Sequence, residues 1–292
     1  MAPALPLDER MLRRLESLML RSHVLAHGVA PGARASRAPG AGVAFASHRA
    51  YSPGDDVRFV DWKVYARSER LVLRQHEEER DRDVHLLLDC SASMGVGQGA
   101  RKLRFATEVA ALLGYVALAR LDRLSVHGYA TTPSATLGPL RGRGQALLLL
   151  RHLATLAPAG LTSLDAAARA VCARASRGGL AVVLSDTLDD TFLRGIDRLR
   201  YGGLAPVLLH LVDPSELSLP AGELTLVDSE SGATVTVRAT DALRTRAARA
   251  REVRDQALHA ALGERGVPQV ALSVELSLER ALGLLVARGV VG

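Results

Sequence analysis

The chain has 292 residues, 48% of them apolar and 23% charged, enough for one large α/β core with appended segments or for two small domains. Its formal charge of +6 is almost wholly arginine, Lys63 and Lys102 being the only lysines. Acids and bases interleave, as in Glu77-Glu78-Glu79-Arg80-Asp81-Arg82-Asp83, and aromatics at 3% leave few stacking platforms, so the composition argues against nucleic acid as a partner.

Leu7 to about Ala26 has the spacing of an amphipathic helix, with Leu7, Met11, Leu15, Leu18 and Met19 on one side. Asp8, Glu9 and Arg10 stand where a signal peptide needs an apolar stretch. No uncharged apolar run reaches the roughly 18 residues that span a bilayer. Cys90 and Cys172 form no Cys-x-x-Cys pair, so neither a zinc site nor a disulfide framework is indicated. The expectation is a cytoplasmic protein without a membrane span.

Gly28 to Gly42 reads as an irregular loop. The segment Arg49 to Arg67 is dense in turn formers, charge and aromatics. Pro53-Gly54-Asp55 marks a turn, Val57, Val60 and Val64 are spaced for one face of a short helix, and Arg58 and Asp61 for a pair on it. Trp62, the only tryptophan, is expected to be buried against the main domain.

From Asp83 the pattern is regular. Val84–Asp89 is a buried strand ending in a carboxylate, Lys102–Leu121 a helix, and Leu124–Ala130 a second strand. Helices follow at Gly144–Leu156 and Ser163–Ala175, then a strand at Leu180–Asp186, a helix at Thr191–Arg200 and a strand at Ala205–Val212. Glu223–Asp228 and Ala233–Arg238 flank Ser229-Glu230-Ser231-Gly232, a hairpin signal. A long Arg/Ala helix, Asp241–Leu262, a strand at Gln269–Val274 and a helix at Leu278–Arg288 complete the chain. This alternation predicts an α/β fold, a doubly wound, mostly parallel sheet with an N-terminal extension. The expected division is residues 1–80 for the extension and signature segment and 81–292 for the main domain.

The chemistry concentrates in Asp89-Cys90-Ser91-Ala92-Ser93, at the end of the first central strand, where doubly wound sheets bind ligands. Asp89 supplies a carboxylate, and Ser91 and Ser93, at alternate positions, can aim two hydroxyls the same way. Thr162, just before a helix, and Asp186, at the end of another strand, sit at junctions on the same sheet edge. Carboxylate and hydroxyl oxygens suit Mg²⁺ or Mn²⁺ rather than zinc. Taken singly, Thr162 is equally a helix cap and Asp186 a turn former.

This ordered set resembles the metal-ion-dependent adhesion site of von Willebrand factor A domains, from Asp83 to the C-terminus. The resemblance implies that Ser91, Ser93 and Thr162 bind the ion directly, Asp89 and Asp186 directly or through water, and that a protein partner adds an acidic residue. The Arg49–Arg67 segment, followed by Asp89-Cys90-Ser91-Ala92-Ser93-Met94, also resembles the signature of a bacterial family known as domain of unknown function fifty-eight. That likeness runs from about Ser36 to Asp186. It implies a non-catalytic adaptor working with a MoxR-type AAA+ ATPase, or its client, in protein maturation or stress response. The Gly28–Gly42 loop departs from it in having fewer consecutive arginines.

Two enzymatic alternatives are visible. Gly95-Val96-Gly97-Gln98-Gly99-Ala100 fits a dinucleotide fingerprint, but it begins six residues beyond Asp89, and Ala130 and Thr131 stand where the acidic ribose ligand belongs. Phosphoryl transfer at Asp89 or Cys90 would need an Asp at Ser91 or an Arg at Val96. Cys90 reads as a small buried residue and His48, His85 and His127 as structural ones.

Overall fold

The computed structural model describes residues 9–26, 39–52, 57, 60–77, 82–97, 99–130, 133–217 and 220–291. It divides into two compact units, one of residues 27–81 and one joining residues 1–26 to 82–292. In chain order the elements are α1 (Glu9–Ala26), β1 (Pro39–Ala50), α2 (Trp62–Ser68), β2 (Val72–Glu77), β3 (Asp83–Asp89), α3 (Arg101–Ala119), β4 (Arg123–Tyr129) and β5 (Pro133–Leu140). There follow α4 (Ala146–Ala154), α5 (Leu164–Cys172), β6 (Leu180–Ser185), α6 (Phe192–Tyr201), β7 (Ala205–Val212), β8 (Gly222–Val227), β9 (Thr234–Ala239), α7 (Asp241–Glu264), β10 (Gln269–Ser273) and α8 (Leu278–Ala287).

The smaller unit is an antiparallel β1–β2 ribbon with α2 beside it in sequence. Asp61 caps α2, its Oδ1 accepting from the Val64 amide at 3.3 Å. The expected Val57–Val64 helix face does not form. The helix starts only at Trp62, and Val60 instead makes an isolated antiparallel bridge to Leu73. Trp62 is 59% exposed, which corrects its expected burial; its ring meets the edge of Tyr65, itself 42% exposed. Arg58 and the Pro53-Gly54-Asp55 turn lie outside the described residues, as do the 28–38 part of the expected loop and the side chain of His48.

The larger unit carries a six-stranded sheet in the order β10-β7-β6-β3-β4-β5, parallel except for β5. From β3 the chain winds outward through β4 to β5, then crosses back to β6 and winds the other way through β7 to β10. The winding direction reverses between β3 and β6, which opens a crevice at their carboxyl ends. Successive side chains alternate between faces. Leu86, Leu88, Val182 and Leu184 join the core under α1, α3, α4 and α8, while Leu87, Ala181 and Val183 join the one under α5 and α6. Both faces of β3 are therefore covered, which is why it reads as an unbroken Leu run.

α1 closes the first layer with Met11, Leu15 and Leu18, and its Arg14 pairs with Glu279 of α8 at 3.1 Å. α3 is buried along almost its whole length, Lys102 included. The antiparallel strand β5, absent from the expected elements, sits at the sheet edge, the position that tolerates its prolines. Among the described residues no helix is long and apolar enough to cross a membrane.

Candidate functional site

The carboxyl ends of β3 and β6 bring the five expected residues to one place. Asp89 ends β3 with no exposed surface, and its Oδ1 accepts from the Ser91 amide at 2.9 Å, the contact of a tight Asx turn. That turn throws the chain into a single 3₁₀ turn, Ala92–Gly95, and sets the Ser91 and Ser93 hydroxyls 3.0 Å apart, both buried. Gly95 is required here, because a Cβ would stand 2.7 Å from the Pro158 ring.

That close approach belongs to a strap that delivers Thr162. Residues 157–162 are held against the turn by two backbone hydrogen bonds, Ala159 N to Cys90 O at 2.8 Å and Ala92 N to Gly160 O at 2.9 Å. Thr162 Oγ1 then donates to Asp89 Oδ2 at 3.3 Å. The cap of α5 is the next residue, Ser163, whose hydroxyl accepts from the Ala166 amide. The cap role that Thr162 could have played is thus taken by its neighbour.

β6 contributes Ser185 and Asp186. The Ser185 hydroxyl donates to Asp89 Oδ2 at 2.7 Å and accepts from the Thr187 amide at 2.9 Å. Asp186, 5% exposed, accepts at Oδ2 from Lys102 Nζ at 2.8 Å, and the same ammonium lies 2.8 and 3.0 Å from the two oxygens of Glu216. Thr187 has φ of +61°, a left-handed backbone uncommon outside glycine, as befits a sharp exit from the strand next to the site. Asp189 ties this exit to the Thr162 strap, accepting from the Leu164 amide, the Thr191 amide and the Thr191 hydroxyl at 2.6, 2.6 and 2.8 Å.

Lys102, Ser185 and Asp189 were not among the expected site residues. Only Lys102 left a trace in the sequence, as one of two lysines in an arginine-rich chain and the sole charge near the start of an otherwise apolar helix face.

Charge sets the character of the pocket. Burial pushes the Asp89 carboxyl up to about 6, the neighbouring Asp186 adds to the rise, and the Ser91 and Ser185 hydrogen bonds oppose it. Among the described residues no ion pair reaches Asp89, because the one buried ammonium is taken by Asp186 and Glu216. A third acid bears on the same place. Glu230, at the turn between β8 and β9, has its carboxyl raised by burial and then by Asp89 and Asp186. The donor set is two carboxylates and three hydroxyls with an excess of buried negative charge, which fits a hard divalent cation. Among the described residues no three His, Cys, Asp or Glu converge closely enough to hold an ion, so the hydroxyls would have to do much of the ligation.

The neighbouring groups lack the features of the enzymatic alternatives. Cys90 is 2% exposed and its thiol is pushed up to about 12, chiefly by burial and then by Asp89, which leaves it protonated and inert. The glycine run begins after the Asp89–Ser93 turn, and Gly97 and Gly99 take positive φ in a loop leading to α3. The strand-to-helix junction that would cradle a pyrophosphate is occupied by the Asx turn instead.

Comparisons of the sequence with known proteins agree with the family likeness read from about Ser36 to Asp186. An uncharacterized protein of Mycobacterium tuberculosis is 33% identical over 238 residues, covering 77% of this chain and 73% of its own length, and one of Mycobacterium bovis matches equally. Among solved structures, the conserved hypothetical protein BatB of Bacteroides thetaiotaomicron matches with a TM-score of 0.43 at 12% identity, over 71% of this chain and 98% of that one. An aerotolerance-related membrane protein of Bacteroides fragilis matches at 0.40 and 13%, over 72% and 96%. Residues 47–257 match the family described as protein of unknown function DUF58, and the chain belongs to that family.

Proposed function

We propose that this protein is a metal-dependent protein-binding adaptor of the von Willebrand factor A type. Ser91, Ser93 and Thr162 would hold Mg²⁺ or Mn²⁺ through their hydroxyls, with Asp89 and Asp186 ligating directly or through water. The observation that carries the reading is the convergence, at the sheet's reversal point, of the Thr162 and Ser185 hydroxyls and the Ser91 amide on a fully buried carboxylate, beside the paired Ser91 and Ser93 hydroxyls, with no cationic partner for it among the described residues. A buried charge of this kind is costly unless a counter-ion completes it.

A bound ion would supply a Lewis-acidic point to which a carboxylate of another protein could attach. The chain's own residues do the rest. The Asx turn fixes the two serines, the 157–162 strap presents Thr162, and Lys102 holds Asp186 in place while leaving Asp89 free to meet a second positive charge. The partner in this reading is a protein with an acidic contact residue, an AAA+ ATPase of the MoxR type or its client, as the signature segment implies.

The test is capture from native lysate on immobilised full-length chain, in Mg²⁺ and in EDTA, beside a Mn²⁺ titration of the same protein. The expected result is a protein retained only by wild type with metal, and Mn²⁺ binding that Asp89→Asn abolishes. Retention indifferent to both metal and Asp89 would overturn the reading.

A further inference from the structure

The sheet face under α5 carries a polar line across three neighbouring strands. His85 Nδ1 of β3 lies 3.3 Å from His127 Nε2 of β4, and His127 Nδ1 lies 3.4 Å from Thr136 Oγ1 of β5. Large apolar side chains on the helix above would bury this line, and α5 does not supply them. It is nine residues long, Leu-Asp-Ala-Ala-Ala-Arg-Ala-Val-Cys, and ends at Cys172. What remains is a recess of about 340 Å³, lined by His127 and Thr136 from the sheet, by Ala167, Ala170 and Val171 from the helix, and by Arg174 just beyond the helix end.

The polar line has a direction. Burial lowers the affinity of both rings for a second proton, His127 down to about 4, so each is neutral at pH 7 and carries one N–H. His85 Nε2 is buried and has no partner among the described residues. An orphaned buried N–H is rarer in folded proteins than an orphaned lone pair, so the His85 proton belongs on Nδ1, where it is donated to His127 Nε2. The His127 proton then sits on Nδ1 and is donated to Thr136 Oγ1. The Thr136 hydroxyl therefore accepts from the ring and keeps its own hydrogen for a second partner. Arg174, also on the recess, is exposed and makes no ion pair among the described residues. None of the residues lining the recess is acidic.

We propose that this recess binds a small organic acid, its carboxylate held by Arg174 and the Thr136 hydroxyl and its short apolar body lying against Ala167, Ala170 and Val171. Two unspent donors select an anion, and a guanidinium beside a hydroxyl suits a carboxylate. The recess is larger than a carboxylate alone and its helical wall is apolar, which calls for a hydrocarbon part to fill it. The inference does not depend on a cation at the strand ends.

The test is an NMR titration of the full-length chain at pH 7 in EDTA, with butyrate, acetate and inorganic phosphate, followed at the His127 ring. Butyrate is expected to shift the ring resonances saturably and to bind about tenfold more tightly than acetate, the scale of two added buried methylenes. Arg174→Gln and Thr136→Val should each weaken butyrate by about tenfold, the scale of a lost hydrogen bond to a charged group. Ala170→Leu, at an exposed position, should fill the recess and abolish binding while the rest of the spectrum stays that of the folded wild type. The absence of a saturable shift in wild type, or a shift that persists in both Arg174→Gln and Ala170→Leu, overturns the site. Phosphate bound more tightly than butyrate overturns the organic acid as its ligand.

Discussion

Strand β3 buries ionisable side chains at two places on one face, four residues apart, and treats them in opposite ways. At His85 the ring stacks on His127 of β4 at 5.5 Å between centroids, with His85 Nδ1 3.3 Å from His127 Nε2. Burial drives His127 down to about 4, with His85, Arg174 and His152 pushing the same way, so at neutral pH this pair holds no charge. At Asp89 the carboxyl rises only to about 6, so at neutral pH the charge stays. One region makes itself cheap to bury by shedding its proton; the other retains a charge, hydrogen-bonds it to hydroxyls and, among the described residues, gives it no cationic partner. Buried groups that keep an unbalanced charge mark sites where stability is given up for binding.

The sharpest way to break this contrast is at Lys102, the one cation inside the site among the described residues. Replacing it by Met leaves the buried Asp186 and the partly buried Glu216 without their shared ammonium, and the expected loss is about 3 kcal/mol of unfolding free energy, read by urea denaturation in EDTA. Mg²⁺ should then stabilise Lys102→Met more than wild type, since the ion becomes the only positive charge available to those acids. Equal stabilisation of the two would mean that Lys102 and the ion do not share a field.

Asp89→Asn is expected to act in the other direction. The folded carboxyl titrates above its unfolded value of 3.8, so its contribution favours the fold below that pH and is lost as pH rises towards 6. At pH 7 the ionised Asp89 therefore destabilises the metal-free fold, and its neutral isostere should raise stability in EDTA by about 3 kcal/mol. Adding Mg²⁺ should raise the melting temperature of wild type and not of the variant. A variant less stable than wild type in EDTA would make Asp89 a structural hub instead.

The legible part of this architecture was what repeats. Leu86-Leu87-Leu88, Val182-Val183-Leu184 and the Arg/Ala helix α7 announce themselves by period and composition, and Asp89, Ser91 and Ser93 by spacing. What escaped were features decided by tertiary packing. β5 carries Pro133 and Pro139, which mark it as a loop unless its edge position is known. Trp62 was expected inside because a lone tryptophan is a large apolar surface, whereas α2 leaves it 59% exposed. Lys102 and Ser185 lie far apart in the chain and meet Asp186 and Asp89 only through the crossover from β5 to β6; no local pattern encodes that meeting.

The histidine pair gives a smaller and separate effect. With a folded value near 4 against 6.5 unfolded, His127 is neutral in the fold and takes up a proton on unfolding at mildly acidic pH. Stability from this group is full above 6.5 and falls as pH drops towards 4, by about 2 kcal/mol at pH 5. His127→Phe, which keeps the stack on His85, should flatten that part of the profile between pH 7 and 5. A profile as steep as that of wild type would assign the acid sensitivity elsewhere.

The smallest expected stability change distinguishes scaffold from ligand most cleanly. Thr162 makes one long hydrogen bond to Asp89, at 3.3 Å, and Ser163 already caps α5. Thr162→Val keeps the branched shape and removes the hydroxyl, so its stability in EDTA should fall by only about 0.5–1 kcal/mol. Ser163→Ala, one residue on, should cost about 1 kcal/mol through the lost cap. In a Mn²⁺ titration the order should reverse, with Thr162→Val losing tenfold or more, on the order of 1.4 kcal/mol, and Ser163→Ala near wild type. If the two variants instead weaken Mn²⁺ alike, the strap matters as a scaffold and the third hydroxyl is not a ligand.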